Sequence, residues 1–322
     1  MPFPPPSLER AFLQSVLYAS LFDYPVTLAQ LREGLIAERA DEPTLAQCYI
    51  TSALLQATVE CAGGYYFPRG RTDLLETRRR REAASQQLLE NLARPLAFVR
   101  ALPFVRMVAV SGSLAHLNAE GGADLDLFIV TTPGRVWSVT LTALIVSRLM
   151  GWRRQLCLNY VVSERALLVG PADLFCANQI VHLQPLDGHD VYRAFLESNR
   201  FIERFYPNFR PKPRSGAIAE RPVLLRIAEF ALNWTIAPLY ERLCRIIYGR
   251  HLRRRAHTWR SRDQVRLETE CLKLHTSSHR REVMERFERA LEEAVERAES
   301  EALTLAGSAL TLAGSSPRRA AR

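Results

Sequence analysis

Val108-Ala-Val-Ser-Gly-Ser-Leu-Ala115, followed by Ala123-Asp-Leu-Asp-Leu-Phe-Ile-Val130, is the stretch that decides the fold. Val105 to Val110 is an apolar run of strand length, and Leu125 to Thr131 is a second. Gly112-Ser113 forms a turn that opens a brief helix. The exposed N–H groups of such a turn, with the helix N-terminus, suit a phosphate, and Ser113 adds a hydroxyl donor. Asp124 and Asp126 stand two positions apart. In a strand, positions i and i+2 share a face, so both carboxylates project the same way while Leu125, Leu127 and Ile129 fill the core. Two carboxylates beside a phosphate cradle suit hard cations such as Mg²⁺. Two Mg²⁺ ions can clamp the attacking and leaving oxygens of an in-line phosphoryl displacement.

Outward from this stretch, the alternation continues. Pro133-Gly134 is a turn, Arg135 to Trp152 has the composition of an apolar helix, and Leu156 to Ser163 is a third strand. Strand, helix, strand and strand in this order predict an α/β layer. Upstream, helices are expected over Leu8 to Leu21, over Leu28 to Ala37 behind a Thr27 N-cap, and over Pro43 to Leu55. Thr58 to Cys61 and Tyr65 to Phe67 flank Ala62-Gly63-Gly64 and read as a hairpin. Three short helices and a hairpin have the plan of a winged-helix domain. A long polar-faced helix is expected over Thr72 to Arg100, with arginines at 78 to 81, and Pro95 bends or divides it. Downstream, helices are expected over Ala172 to His182, Val191 to Tyr206, Val223 to Arg255 with an interruption at Pro238, and Ser278 to Glu301. The sequence LTLAGS occurs at 303 to 308 and again at 310 to 315, and predicts a mobile low-complexity tail.

The Gly112-Ser113 turn and Asp124-Leu-Asp126 on consecutive strands resemble the nucleotidyltransferase superfamily, whose palm is DNA polymerase beta-like. The stretches FDYPVTLAQL, GYYF, PFVRMVAVSGSLA and LCLNYVVSE are similar to bacterial members in which a winged-helix segment precedes that palm. The resemblance implies an α+β chain. It would hold a winged-helix-like domain (1–71), a connecting helix (72–100), the palm with its small mixed sheet (101–170), a helical region (171–302) and the tail (303–322). It implies a transferase that moves a nucleoside monophosphate from a nucleoside triphosphate to a hydroxyl on a small molecule, a protein or an RNA. Asp124 and Asp126 would bind two Mg²⁺ ions, and Gly112 and Ser113 would hold the triphosphate. The superfamily usually adds a third carboxylate on a later strand. Asn159 stands at that place, and Asn cannot act as a base. Glu164 is the nearest alternative, which adds it to the candidate catalytic residues. The alternative function is a catalytically impaired nucleotide sensor or DNA-binding regulator.

Composition narrows the classes. Hydrophobic residues at 48% and charged residues at 24% are globular proportions. No apolar run reaches the ~18 residues of a membrane span, and the beginning of the chain lacks a secretory pattern. The expectation is a cytoplasmic protein without a membrane partner. Six scattered cysteines make no CxxC pair, which fits reduced thiols. Of the 43 basic residues, only Lys212 and Lys273 are lysines. Such an arginine bias fits a GC-rich coding sequence, so the net charge of +9 argues only weakly for nucleic acid. The helix over Pro43 to Leu55 has no Lys or Arg, so DNA is a disfavoured partner. His275 and His279 are four apart but lack the Glu of a zinc-helix motif.

Overall fold

Residues 7–211, 223–234, 236–274 and 279–314 are described by a computed structural model. The lead-in at 1–6, His275 and the end at 315–322 lie outside the described residues. The chain is α+β and divides into two units, Met1–Arg78 with Tyr206–Phe209 and Arg281–Arg322, and Arg79–Phe205 with Arg210–Arg280.

The first unit opens with α1 (Leu8–Ser20), capped by Ser7. The two-residue strand β1 (Val26–Thr27) leads into α2 (Leu28–Glu33), where Thr27 and Gln30 form a reciprocal capping box. That helix stops at Gly34, four residues short of the predicted end, because the chain turns in to bury Leu35 and Ile36. The Ile36 N–H donates to the buried Ser15 hydroxyl at 2.9 Å. The predicted third helix is two, α3 (Glu42–Thr51) and α4 (Ala53–Thr58). Ser52 breaks it in an extended conformation and caps the second half through the Leu55 N–H. β2 (Val59–Ala62) and β3 (Tyr65–Pro68) pair antiparallel, with Gly63 at φ +58° and Gly64 at φ +80°. Positive φ at both turn residues is what a two-residue hairpin of this twist needs. β1 completes the sheet in the order β1-β3-β2.

The arginine run at 78 to 81 begins in α5 (Asp73–Asn91). Arg78 is buried, donates to the Pro25 carbonyl at 2.8 Å and stacks over the Tyr24 ring at 3.9 Å. A structural role therefore consumes the first cation of that run. The helix ends ahead of Pro95, and α6 (Ala93–Ala101) takes Pro95 into its first turn, where no N–H is required.

The second unit is built on a sheet. Its elements, in chain order, are β4 (Val105–Val110), α7 (Gly112–Ala115), β5 (Leu125–Thr131), α8 (Val136–Leu149), β6 (Leu156–Ser163), α9 (Leu174–Val181), β7 (Gln184–Pro185), α10 (His189–Ser198), α11 (Ile202–Phe205), α12 (Val223–Trp234), α13 (Ala237–Arg254), β8 (Val265–Leu267) and β9 (Cys271–Leu274). The six strands run β7-β4-β5-β6-β9-β8. β5 and β6 are parallel and the other neighbours are antiparallel, so the sheet is mixed. β4, β5 and β6 have the predicted bounds. β8 and β9 lie in a stretch to which no strand was assigned. The expected helix over Val191 to Tyr206 breaks at Asn199. That buried side chain accepts from Val169 N–H and donates to the Leu167 and Phe195 carbonyls. α8 crosses from β5 to β6, as a parallel pair requires. Its first N–H groups are satisfied from elsewhere in the chain: buried Glu241 of α13 accepts from Trp137 N–H at 3.0 Å and Ser138 N–H at 2.7 Å. Trp137, Val108, Leu127, Ile129 and Val161 are fully buried in the core that results.

The last helix, α14 (Arg280–Gly314), runs past the predicted end at Glu301 and into the LTLAGS repeat. Phe287 on it meets Tyr18 edge-on at 5.2 Å within the first unit. Among the described residues, no helix is long and apolar enough to cross a membrane.

Candidate active site

Strand pairing brings the two halves of the quoted stretch together. Val110 is opposite Leu127, and the Ser111 N–H donates to the Asp126 carbonyl at 2.9 Å. Gly112 then turns the chain at φ +67°. A Cβ at Gly112 would stand 2.6 Å from Asp126 Oδ2, closer than real Cβ atoms come. Only glycine lets the turn lie against that carboxylate. Leu125 and Leu127 are buried while Asp126, between them, is half-buried on the opposite face. Asp124 stands one residue before β5 begins, and is exposed.

On the neighbouring strand, Asp126 is in register with Cys157. The register then slips by one residue before Phe128 pairs with Tyr160. Such a bulge re-aims a side chain, and here Asn159 donates from Nδ2 to Asp126 Oδ1 at 3.3 Å. The Cys157 thiol also bonds Asp126; burial and the neighbouring aspartate push it up to about 12, so it is a thiol donor at neutral pH. Burial raises the Asp126 pKa above the ordinary carboxylate value, the charge of Asp124 adds to this, and the Cys157 and Asn159 hydrogen bonds oppose it.

Asp126, Gly112, Ser111 and Asn159 line one end of a cleft of ≈ 200 Å³. Its floor is the sheet face bearing Phe128 and Tyr160, and Phe175, Cys176 and Gln179 of α9 form part of the wall. Lys273, opposite Tyr160 on β9, also lines the cleft. It is buried, bonds Gln264 Oε1 at 3.1 Å and sits 5.3 Å from the Tyr160 ring centre. Burial lowers its pKa. Arg280 joins it in the lining, bridged to Asp173.

Of the candidates from sequence, Gly112 and Asp126 share this cleft. Asp124 lies close enough for its charge to act on Asp126, and Ser113, exposed at the turn, is outside the lining. Glu164 does not join them. Its N–H donates to the Thr131 carbonyl at 3.0 Å, at the far end of β5. Asp126 and Thr131 are five residues apart. At ~3.3 Å per residue that separates them by about 16 Å, beyond a side chain's reach. The physical reason is direction: β6 runs parallel to β5, so its C-terminal end leaves the Asp126 end behind. Asp126 is the one carboxylate in the lining of the cleft among the described residues. Sequence reasoning passed over Lys273, though it is one of two lysines in an arginine-dominated chain and sits in an apolar stretch. His116 packs on His182 with ring centres 3.9 Å apart. No protein-family model, curated protein or solved structure matches the chain.

Proposed function

We propose that the second unit is a nucleotidyltransferase that moves a nucleoside monophosphate from a nucleoside triphosphate to a hydroxyl acceptor. The approach of Gly112 to the Asp126 carboxylate carries this proposal. It sets the glycine of the Gly-Ser turn against the second aspartate of the Asp-x-Asp pair, and both of those residues line the cleft.

The donor set fits Mg²⁺. Both side chains offer oxygen only, and Asp126 is held in a half-buried place where its charge is unwelcome and Asp124 repels it. A divalent cation would relieve both penalties. Among the described residues no three His, Cys, Asp or Glu cluster as a metal cage. The rest of the shell would come from phosphate oxygens and water, as is usual for this ion. When bound, Mg²⁺ supplies charge neutralisation at the phosphoryl oxygens. Asn159 and Cys157 hold the Asp126 carboxylate by donating to it. Gly112, without a side chain, lets its turn lie against that carboxylate. In the transfer, the acceptor oxygen bonds the α-phosphorus, the α–β anhydride bond breaks, pyrophosphate leaves, and the hydroxyl proton passes to water. Cys157, held as a thiol, is no base for that proton.

We read the first unit as a winged-helix domain, supported by α1 to α4 and the β1-β3-β2 sheet. Its helix α3 has neither Lys nor Arg, which favours a structural or protein-binding role over DNA contact.

Asn159 at the place of a third acid favours a second reading, a nucleotide sensor that binds without turnover. A thermal-shift screen of the four ribonucleoside triphosphates addresses the binding shared by both. With Mg²⁺, at ~100-fold over the dissociation constant, at least one is expected to raise the melting temperature by about 5 °C. Without Mg²⁺ the shift should vanish. No shift with any of the four contradicts both readings, and a shift without pyrophosphate release, across varied acceptors, selects the sensor.

A further inference from the structure

We propose that the outward face of α13 docks on an anionic lipid surface. α13 is apolar on two sides. Its inner side buries Ala237, Cys244 and Leu252, with Glu241 capping α8. Its outer side, with Ile236 at the N-cap, carries Leu239, Tyr240, Leu243, Ile246 and Ile247, spaced three and four apart on one helical face. All six are exposed, Leu239 to 72% and Ile247 to 55%. A helix whose solvent side is largely apolar for three turns is built to be covered.

The apolar stripe does not end there. The Tyr240 hydroxyl meets Thr142 Oγ1 at 3.0 Å, which brings the outer face of α8 alongside. Ile145 and Leu149, three and seven residues further on that face, are exposed as well, Leu149 to 79%.

Charge selects the occupant. Past Ile247 the same face of α13 continues as Arg250 and Arg254, with Arg242 and Arg253 flanking it. From Ile236 to Arg262 there are eight arginines, all exposed, and the single acid, Glu241, is buried. A second copy would set this face against itself, and no exposed acid in the segment could pair with the arginines. A nucleic acid would satisfy the arginines and leave the aliphatic stripe in water. A bilayer with anionic headgroups over acyl chains takes both: the stripe enters the boundary and the arginines meet the headgroups. The helix would lie in the surface rather than cross it, in keeping with its charge.

The test is co-flotation of the full chain with vesicles of phosphatidylcholine alone or of an equal mixture with phosphatidylglycerol. Wild type is expected to float with the mixed vesicles and to stay behind with the neutral ones. Flotation should fall at least about tenfold in Leu239→Ser/Leu243→Ser/Ile247→Ser and in Arg250→Glu/Arg254→Glu. These side chains are exposed, so circular dichroism and melting temperature should match wild type. The proposal is overturned if wild type floats with neither vesicle, or if the serine variant floats as well as wild type. It is also overturned if wild type sediments as a dimer that the serine variant turns into a monomer, which would assign the face to a second copy.

Discussion

Asp126→Asn is expected to remove pyrophosphate release from nucleoside triphosphates while raising the melting temperature of the metal-free protein. The loss of turnover should reach about 10³-fold, the size of several kcal/mol of lost charge stabilisation at the phosphoryl group. The gain in stability has a separate origin. Burial and the charge of Asp124 lift the folded pKa of Asp126 above its unfolded value. A carboxyl group shifted upward contributes stability below its unfolded pKa and loses it as pH rises through the folded one. At neutral pH the ionised carboxylate is therefore a net cost to the metal-free fold, which the neutral amide removes. Asn at 126 still offers Oδ1 to the Asn159 amide, so one hydrogen bond survives. The stability gap between variant and wild type should be present at about pH 7.5 and should close towards about pH 4, as the wild-type acid takes up its proton. Thermal melts at the two pH values read this directly. A variant that melts below wild type at neutral pH, with turnover intact, would make Asp126 an ordinary structural residue.

Gly112→Ala should also lose turnover, by about 10²-fold, the scale attached to misplacing a reacting group by ~1 Å. The new methyl would stand 2.6 Å from Asp126 Oδ2 and must push the carboxylate off its Asn159 and Cys157 donors. Gly134→Ala is the matched control. Gly134 has the same φ of +67° and nothing within 4 Å of its missing Cβ. Both substitutions incur left-handed backbone strain of about 1–2 kcal/mol, so both should lower the melting temperature. Only the change at Gly112 should reach the chemistry. Equal turnover in the two variants would mean that the close approach at Gly112 is incidental.

The central strands and the hairpin were legible for local reasons. Val105–Val110, Leu125–Thr131 and Leu156–Ser163 are apolar runs between turn residues, and Gly63-Gly64 marks its own turn. Side-chain alternation likewise put Asp126 on the face opposite its apolar neighbours. What was not legible came from distant partners. The helix breaks at Ser52 and Asn199 depend on the hydrogen bonds those side chains find once packed, and on no local Gly or Pro. β8 and β9 are three and four residues long and gain their place by adding to the edge at β6. Glu164 was nominated by its nearness in sequence to Asn159. The parallel direction of β6, which a sequence does not print, carries it to the wrong end of the sheet. Lys273 enters the cleft only because β9 pairs with β6, so nothing in its own neighbourhood announced it.

Binding of Mn²⁺, followed by the electron paramagnetic resonance signal of the free ion, tests the paired aspartates most directly. Wild type is expected to deplete that signal, and to deplete it further when a nucleoside triphosphate that binds is added. The Asp124→Asn/Asp126→Asn double variant should leave it at the level set by the triphosphate alone. Equal depletion by the two proteins, or none by wild type with triphosphate present, would contradict a divalent-cation site at Asp124 and Asp126.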